Sequence, residues 1–136
     1  MYNINRVIKK LTPHRSAAEL FRYFSDEKDC VFLDSSLVNG LGRYSIIGVR
    51  PYLKLVKDDH GFFINGQKVS ELSFEEYLKK YLSEHKDQNE SGLPMLSGAV
   101  GYFSYEYGRK LMEVPSHKEN LVTIPDAVLV FYDMYI

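Results

Sequence analysis

The sequence predicts an α+β domain: a mainly antiparallel sheet with a few helices packed against it. Three observations lead there. Strand-like runs follow one another without regular alternation with helices, two turn signals crowd into "KDDHGFFINGQKV", and two serine-led capping boxes mark helix starts.

Taken in order, Arg6 to Leu11 is predicted as an opening strand. Ser16 and Glu19 then have the spacing with which a helix start satisfies two orphan amide donors, and Ala17, Leu20, Phe21 and Phe24 share one face. The helix is expected to end in "SDEKD", which carries no apolar residue. Cys30 to Leu33 reads as a short buried strand. Tyr44 to Val49 and Tyr52 to Lys57 read as two more, with Pro51 at the bend between them, where a missing amide proton costs no ladder bond. The signals "DDHG" and "NG" flank Phe62 to Ile64, as consecutive antiparallel strands require. Ser73 and Glu76 repeat the capping box, Leu72 and Tyr77 stand where a hydrophobic staple would close, and Phe74, Tyr77, Leu78, Tyr81 and Leu82 form an apolar stripe at helical spacing. A polar loop from Glu84 to Ser91 leads to "LSGAVGYFSYEYGR", Leu96 to Arg109. There, either glycines permit close approach to a neighbouring element and aromatics fill the gaps, or the tract is one wall of a binding cleft; if the chain is helical from Ser104, Glu106 and Arg109 can pair on one turn. A last strand runs from about Asp126.

At 136 residues this is one domain. With 17 basic and 18 acidic residues the net charge is −1, so no long-range field gathers nucleic acid or anionic lipid, and no apolar run approaches the ~18 residues of a membrane span. The single cysteine, Cys30, has no partner for an intramolecular disulfide, and "MYNINRVIKK" lacks the continuous apolar stretch of an export signal. A cytoplasmic location is expected. The final "IPDAVLVFYDMYI" is strongly β-favouring to its end. It suggests a domain cut from a longer chain, with an apolar face left exposed through which the fragment dimerises.

Catalytic patterns are sparse. His14, His60, His85 and His117 show no HxxH or HExxH spacing, which sets a metal site aside. Asp34 and Ser35 are adjacent, so they are poorly placed for separate roles in a hydrolytic triad, and there is no GxSxG. No phosphate loop is present, because "GLG" at 40–42 leads into a strand and not a helix. What remains is the elbow "FLDSSLVNGLGRYSIIGVRP", Phe32 to Pro51. There Asp34, Ser35 and Ser36 end one strand, and Gly40, Gly42 and Arg43 precede another. These groups either bond the loop's own amides or line a small-molecule pocket. In the second case hydroxyl and backbone groups would take an amino acid's ammonium and carboxylate beside the planar Arg43 cation. Composition leaves both readings open.

"FLDSS", then "GRYSIIG" with Pro51, then "LSGAVGYFSYEYGR" and "IPDAVLVFYD" resemble, in order and spacing, the N-terminal region of the large subunits of the anthranilate synthase and aminodeoxychorismate synthase family. The likeness runs from about Arg6 to the end. "FLDSS" with "GRYSIIG" looks more like the aminodeoxychorismate (p-aminobenzoate, folate) branch, since the anthranilate (tryptophan) branch more often reads "LLES" there. The resemblance implies a single non-catalytic N-terminal domain over residues 1–136. The chorismate-binding C-terminal domain, with its magnesium-binding carboxylates and acid/base groups, would lie beyond it. It implies two protein partners, that C-terminal domain and a glutamine amidotransferase subunit. It also implies a share in a tryptophan pocket through Asp34, Ser35, Gly42, Arg43, Tyr44 and Ser45. Such a fragment is expected to be inactive alone and to need no cofactor, magnesium serving the parent. A stand-alone amino-acid-binding regulatory module is the alternative of another class.

Overall fold

The computed structural model describes residues 6–12, 15–35, 37, 39, 40, 42–86, 88–115 and 123–136. Its centre is a six-stranded sheet in which every pairing is antiparallel, as expected. The organising strand is β2 (Ile46–Asp58). Along one edge it pairs with β6 (Ala127–Tyr135), and along the other with β1 (Val31–Leu33) near its start and β3 (Gly61–Ile64) near its end. β4 (Gln67–Val69) extends the sheet beyond β3, and β5 (Ala99–Phe103) lies beside β6 at the opposite edge. Three helices complete the chain: α1 (Ala17–Phe21), α2 (Phe74–Glu84) and α3 (Tyr105–Leu111).

Local chemistry explains the turns and caps. Asp58 Oδ1 accepts from the amides of His60 (2.8 Å) and Gly61 (3.1 Å), closing the β2–β3 turn. Asn65 and Gly66 both take positive φ, 49° and 83°, the backbone of an Asn-Gly hairpin. Both capping boxes form as read. The amides of Glu19 and Glu76 donate to Ser16 and Ser73 Oγ, and each glutamate accepts from its cap's amide.

Four expectations are corrected. Residues 44–57 do not form two strands: β2 is continuous, and its register with β6 shifts between Pro51 and Leu53, after Arg50 at φ 57°. β6 spans the irregularity and keeps the two halves together. β1 reaches only Gly48 and β3 begins only at Leu55, so one edge of β2 is open around Pro51, which is where a sheet tolerates proline. Arg6–Leu11 forms no strand. It has no ladder partner among the described residues, Val7 is 76% exposed, and the segment is tied by Arg6 Nη2 to Ser97 Oγ at 3.2 Å. α1 stops at Phe21 because the following amides bond three residues back (Tyr23 to Leu20, Phe24 to Phe21), a tighter winding that does not propagate. β1 is half-buried and not buried, with Leu33 exposed, since it covers only the first residues of β2.

The core lies between one sheet face and α2. Leu53, Leu55, Phe62, Leu129 and Phe131 present that face, and Phe74, fully buried, enters it. Its ring meets Phe62 (5.6 Å), Phe103 (6.3 Å) and Tyr107 (6.2 Å) edge-on, the geometry that aligns ring edge with ring face. Tyr77, Leu78 and Tyr81 follow Phe74 onto the sheet, whereas Leu82, the last of the predicted stripe, is half exposed, as is Leu72 of the expected staple in large part. At the other end of the sheet Ile47, Val49 and Tyr132 are buried. Phe21 stacks on Phe32 at 5.0 Å, and Tyr132 Oη donates to the Asp29 carbonyl at 2.7 Å, so the α1–β1 segment closes that end.

Candidate functional site

The elbow joins the end of β1 to the start of β2, and the antiparallel pairing of Leu33 with Ile46 brings its two arms together. Asp34, Ser35, Tyr44 and Ser45 therefore converge. Ser45 Oγ donates to Asp34 Oδ1 at 2.8 Å and accepts from the Ser35 amide at 3.2 Å, while Ser35 Oγ donates to the Tyr44 carbonyl. Each hydroxyl thus binds the opposite arm, which is the first of the two roles the sequence left open. The site stands at the surface: Asp34, Arg43 and Tyr44 are exposed, and Ser35, Gly42 and Ser45 are half-buried. Arg43 lies 5.9 Å from the Tyr44 ring centroid, so cation and ring form one exposed pair.

Gly42 serves a close approach different from the one a ligand would require. A Cβ there would overlap the Leu37 carbonyl oxygen, so the missing side chain lets the loop fold back on its own backbone. The sequence reading missed Asn39, whose Oδ1 accepts from the Gly42 amide at 2.7 Å. The "NGLG" spacing carried that signal, since Asn bonds a nearby backbone amide readily. Ser36, His14 and His117 lie outside the described residues, as does most of the 115–125 loop.

The "LSGAVGYFSYEYGR" tract is organised by packing. A Cβ on Gly101 would lie 2.8 Å from the Val128 carbonyl carbon and 3.0 Å from Leu129 Cα, so β5 could not sit this close to β6 with any other residue there. Arg109 Nε and Nη2 grip Glu106 Oε2 at 2.7 and 2.6 Å, completing the expected pair on α3. A polar groove of about 380 Å³ opens nearby, where Lys110 Nζ bonds both oxygens of the buried Asp126 (2.9 and 2.8 Å) and Asp59 at 2.6 Å. Those bonds to Asp126 and Asp59 raise the Lys110 pKa. Burial pushes Glu75 up, but its own amide, the Tyr107 hydroxyl at 3.0 Å and the Lys57 charge outweigh it and hold the carboxyl below its ordinary value. Burial and that same carboxylate push Tyr107 up to about 12. These charges are paired with one another and tie α3 to β6 and α2.

Among the described residues no three His, Cys, Asp or Glu side chains are grouped to hold a metal ion, and no helix is long and apolar enough to cross a membrane. His85 stacks on Tyr81 at 4.0 Å with Nδ1 at 2.8 Å from the Tyr81 carbonyl.

No family model matches the chain. Anthranilate synthase component 1 of Acetivibrio thermocellus is 32% identical over 121 residues, which are 84% of this chain and 24% of that protein. The Bacillus pumilus protein of the same name is 32% identical over 81 residues, 56% of this chain and 16% of its own length. The crystal structure of anthranilate synthase component I from Streptococcus pneumoniae TIGR4 superposes with a TM-score of 0.56 at 25% identity, over 98% of this chain and 28% of that one. The chain thus spans about a quarter of the first relative. In sequence and fold it is an anthranilate synthase component I-like domain.

Proposed function

We propose that the chain acts as the non-catalytic N-terminal domain of an aminodeoxychorismate synthase component I. Its longer parent would replace the 4-hydroxyl of chorismate with ammonia from a glutamine amidotransferase partner, giving 4-amino-4-deoxychorismate. The branch is chosen on the form of "FLDSS" with "GRYSIIG", and one observation supports the domain assignment beneath it. The family-like motifs "FLDSS" and "GRYSIIG" meet as the two arms of a single hydrogen-bonded elbow, and "GAVGYF" is the strand beside β6 in the same sheet. The order of motifs along the chain is therefore matched by their assembly in space.

In this role the domain positions and encloses. Asp34 and Ser35 on one arm and Gly42, Arg43, Tyr44 and Ser45 on the other would form one wall of a tryptophan-type pocket, the opposite wall coming from the chorismate-binding C-terminal domain. The Arg43 guanidinium is the group suited to an amino acid's carboxylate, and the Asp34 carboxylate to its ammonium. Magnesium, where the parent uses it, would be seated in that other domain.

The names of the relatives favour a second reading, in which the parent is an anthranilate synthase component I and the elbow belongs to tryptophan feedback. Supplying the full-length parent with chorismate, ammonium and magnesium separates the two. Accumulation of 4-amino-4-deoxychorismate supports the first, anthranilate supports the second, and neither product defeats both. Calorimetric titration with tryptophan adds a check. Binding to the parent alone agrees with a shared pocket, while equal binding to the 136-residue chain alone argues for a stand-alone amino-acid-binding module.

A further inference from the structure

Away from the elbow the fold has an open apolar groove. A groove of about 490 Å³ lies between α2 and α3, lined by Phe74, Leu78, Phe103 and Gly108, with Leu82 farther along α2. A Cβ on Gly108 would meet no heavy atom within 4 Å, so the groove wall is hollow at that point. Leu82 and Phe103 are 50% and 51% exposed. One patch therefore holds both a protruding apolar side chain and a recess.

We propose that this groove is a two-fold interface between copies of the chain, each α2 lying antiparallel along the groove of the other. A closed two-fold contact requires a surface complementary to itself, and the charges on this groove meet that requirement. Glu75 and Lys79, four residues apart on α2, both line it; Glu75 accepts from Tyr107 Oη at 3.0 Å and lies 3.6 Å from Lys57 Nζ within its own copy, and its carboxylate still borders the groove. An antiparallel copy reverses their order, so each Lys79 faces the other copy's Glu75, whereas a parallel copy would set like charge against like. Lys79 makes no ion pair among the described residues and is available for this role. The same register carries Leu82 of each copy to the level of Leu72 in the other, toward the end of α2 where Phe74 meets Phe103. Charge favours the encounter too, because a net charge of −1 leaves little long-range repulsion between copies.

Sedimentation velocity on the 136-residue chain, diluted from millimolar to low micromolar, tests this. The expected result is a reversible dimer of twice 15.8 kDa whose association weakens as salt is raised. Gly108→Met fills the hollow and should weaken the dimer about tenfold or more while leaving the melting midpoint no lower, because methionine is the better helix former. Lys79→Glu should weaken it several-fold, whereas Lys79→Arg, which keeps the charge, should leave it intact. A chain monomeric at every concentration, a dimer indifferent to Gly108→Met, or a Lys79→Glu chain that dimerises as well as Lys79→Arg would each overturn the proposal.

Discussion

Replacing Gly101 and Gly108 by alanine makes the same chemical change twice and should move stability in opposite directions. On Gly101 the new methyl falls on the Val128 carbonyl, 2.8 Å from its carbon and 3.0 Å from Leu129 Cα, where ordinary carbon contacts need about 3.5–4.0 Å. The atoms in the way are backbone of β6 and no rotamer relieves them, so β5 must move out by close to 1 Å. That stretches ladder hydrogen bonds whose useful range is only about 2.7–3.2 Å. Overpacking of this kind costs about 1–3 kcal/mol, and the upper end applies when backbone is struck. Removing a glycine from the unfolded ensemble returns up to about 1 kcal/mol, leaving a net loss of about 2 kcal/mol. Gly108 stands inside α3 with nothing within 4 Å, so alanine there should gain about 0.5–1 kcal/mol. Urea unfolding followed by circular dichroism reads both. With a slope of about 2 kcal/mol/M, the midpoint should fall by about 1 M for Gly101→Ala and rise by a few tenths for Gly108→Ala. A Gly101→Ala protein as stable as the parent sequence would show that the β5–β6 approach is not what this glycine is for.

Other outcomes follow from the packing and the charges. Phe74→Ala empties the centre of the aromatic cluster and should cost about 3–5 kcal/mol in a thermal or urea melt, whereas a loss below about 1 kcal/mol would mean the core lies elsewhere. Ser45→Ala removes the bridge between Asp34 and the Ser35 amide. It should cost about 1 kcal/mol and speed hydrogen exchange at Ser35, and unchanged exchange would argue against the interlocked elbow. Burial pushes Tyr107, Tyr132 and Tyr135 up to about 12 from 10.0. The folded state therefore holds these protons more tightly than the unfolded one. Their contribution is complete below about pH 10 and drains away toward about pH 12. Denaturation midpoints should fall through that window, less steeply in Tyr107→Phe, and a flat profile would contradict the burial of these hydroxyls.

Much of the sheet was legible because turns and caps are written in single side chains. Asn65-Gly66, Asp58, Ser16 and Ser73 each act on backbone within a few residues, so spacing suffices to read them. What depended on distant partners was not. Pro51 looked like a strand break, since nothing local reveals that β6 runs past it and that the other edge is open there. Arg6–Leu11 has the composition of a strand, but a strand exists only when another edge accepts it, and residue pattern is silent about edges. The elbow between two strands was legible as a bend, because hydroxyls and glycines there stand out. That their hydroxyls bond each other's arms follows from the register of Leu33 with Ile46, a tertiary fact. That the Gly42 backbone closes on the Leu37 carbonyl is likewise a matter of how the loop folds and not of local pattern.

In the proposed reading this domain supports a chorismate enzyme without performing the reaction. Complementation tests it most directly: the remainder of the parent chain, expressed without residues 1–136, is assayed for amination of chorismate with and without this chain added. Neither piece should turn over alone, and mixing them should restore product. Turnover by the 136-residue chain unaided, or full activity of the remainder without it, would contradict the account.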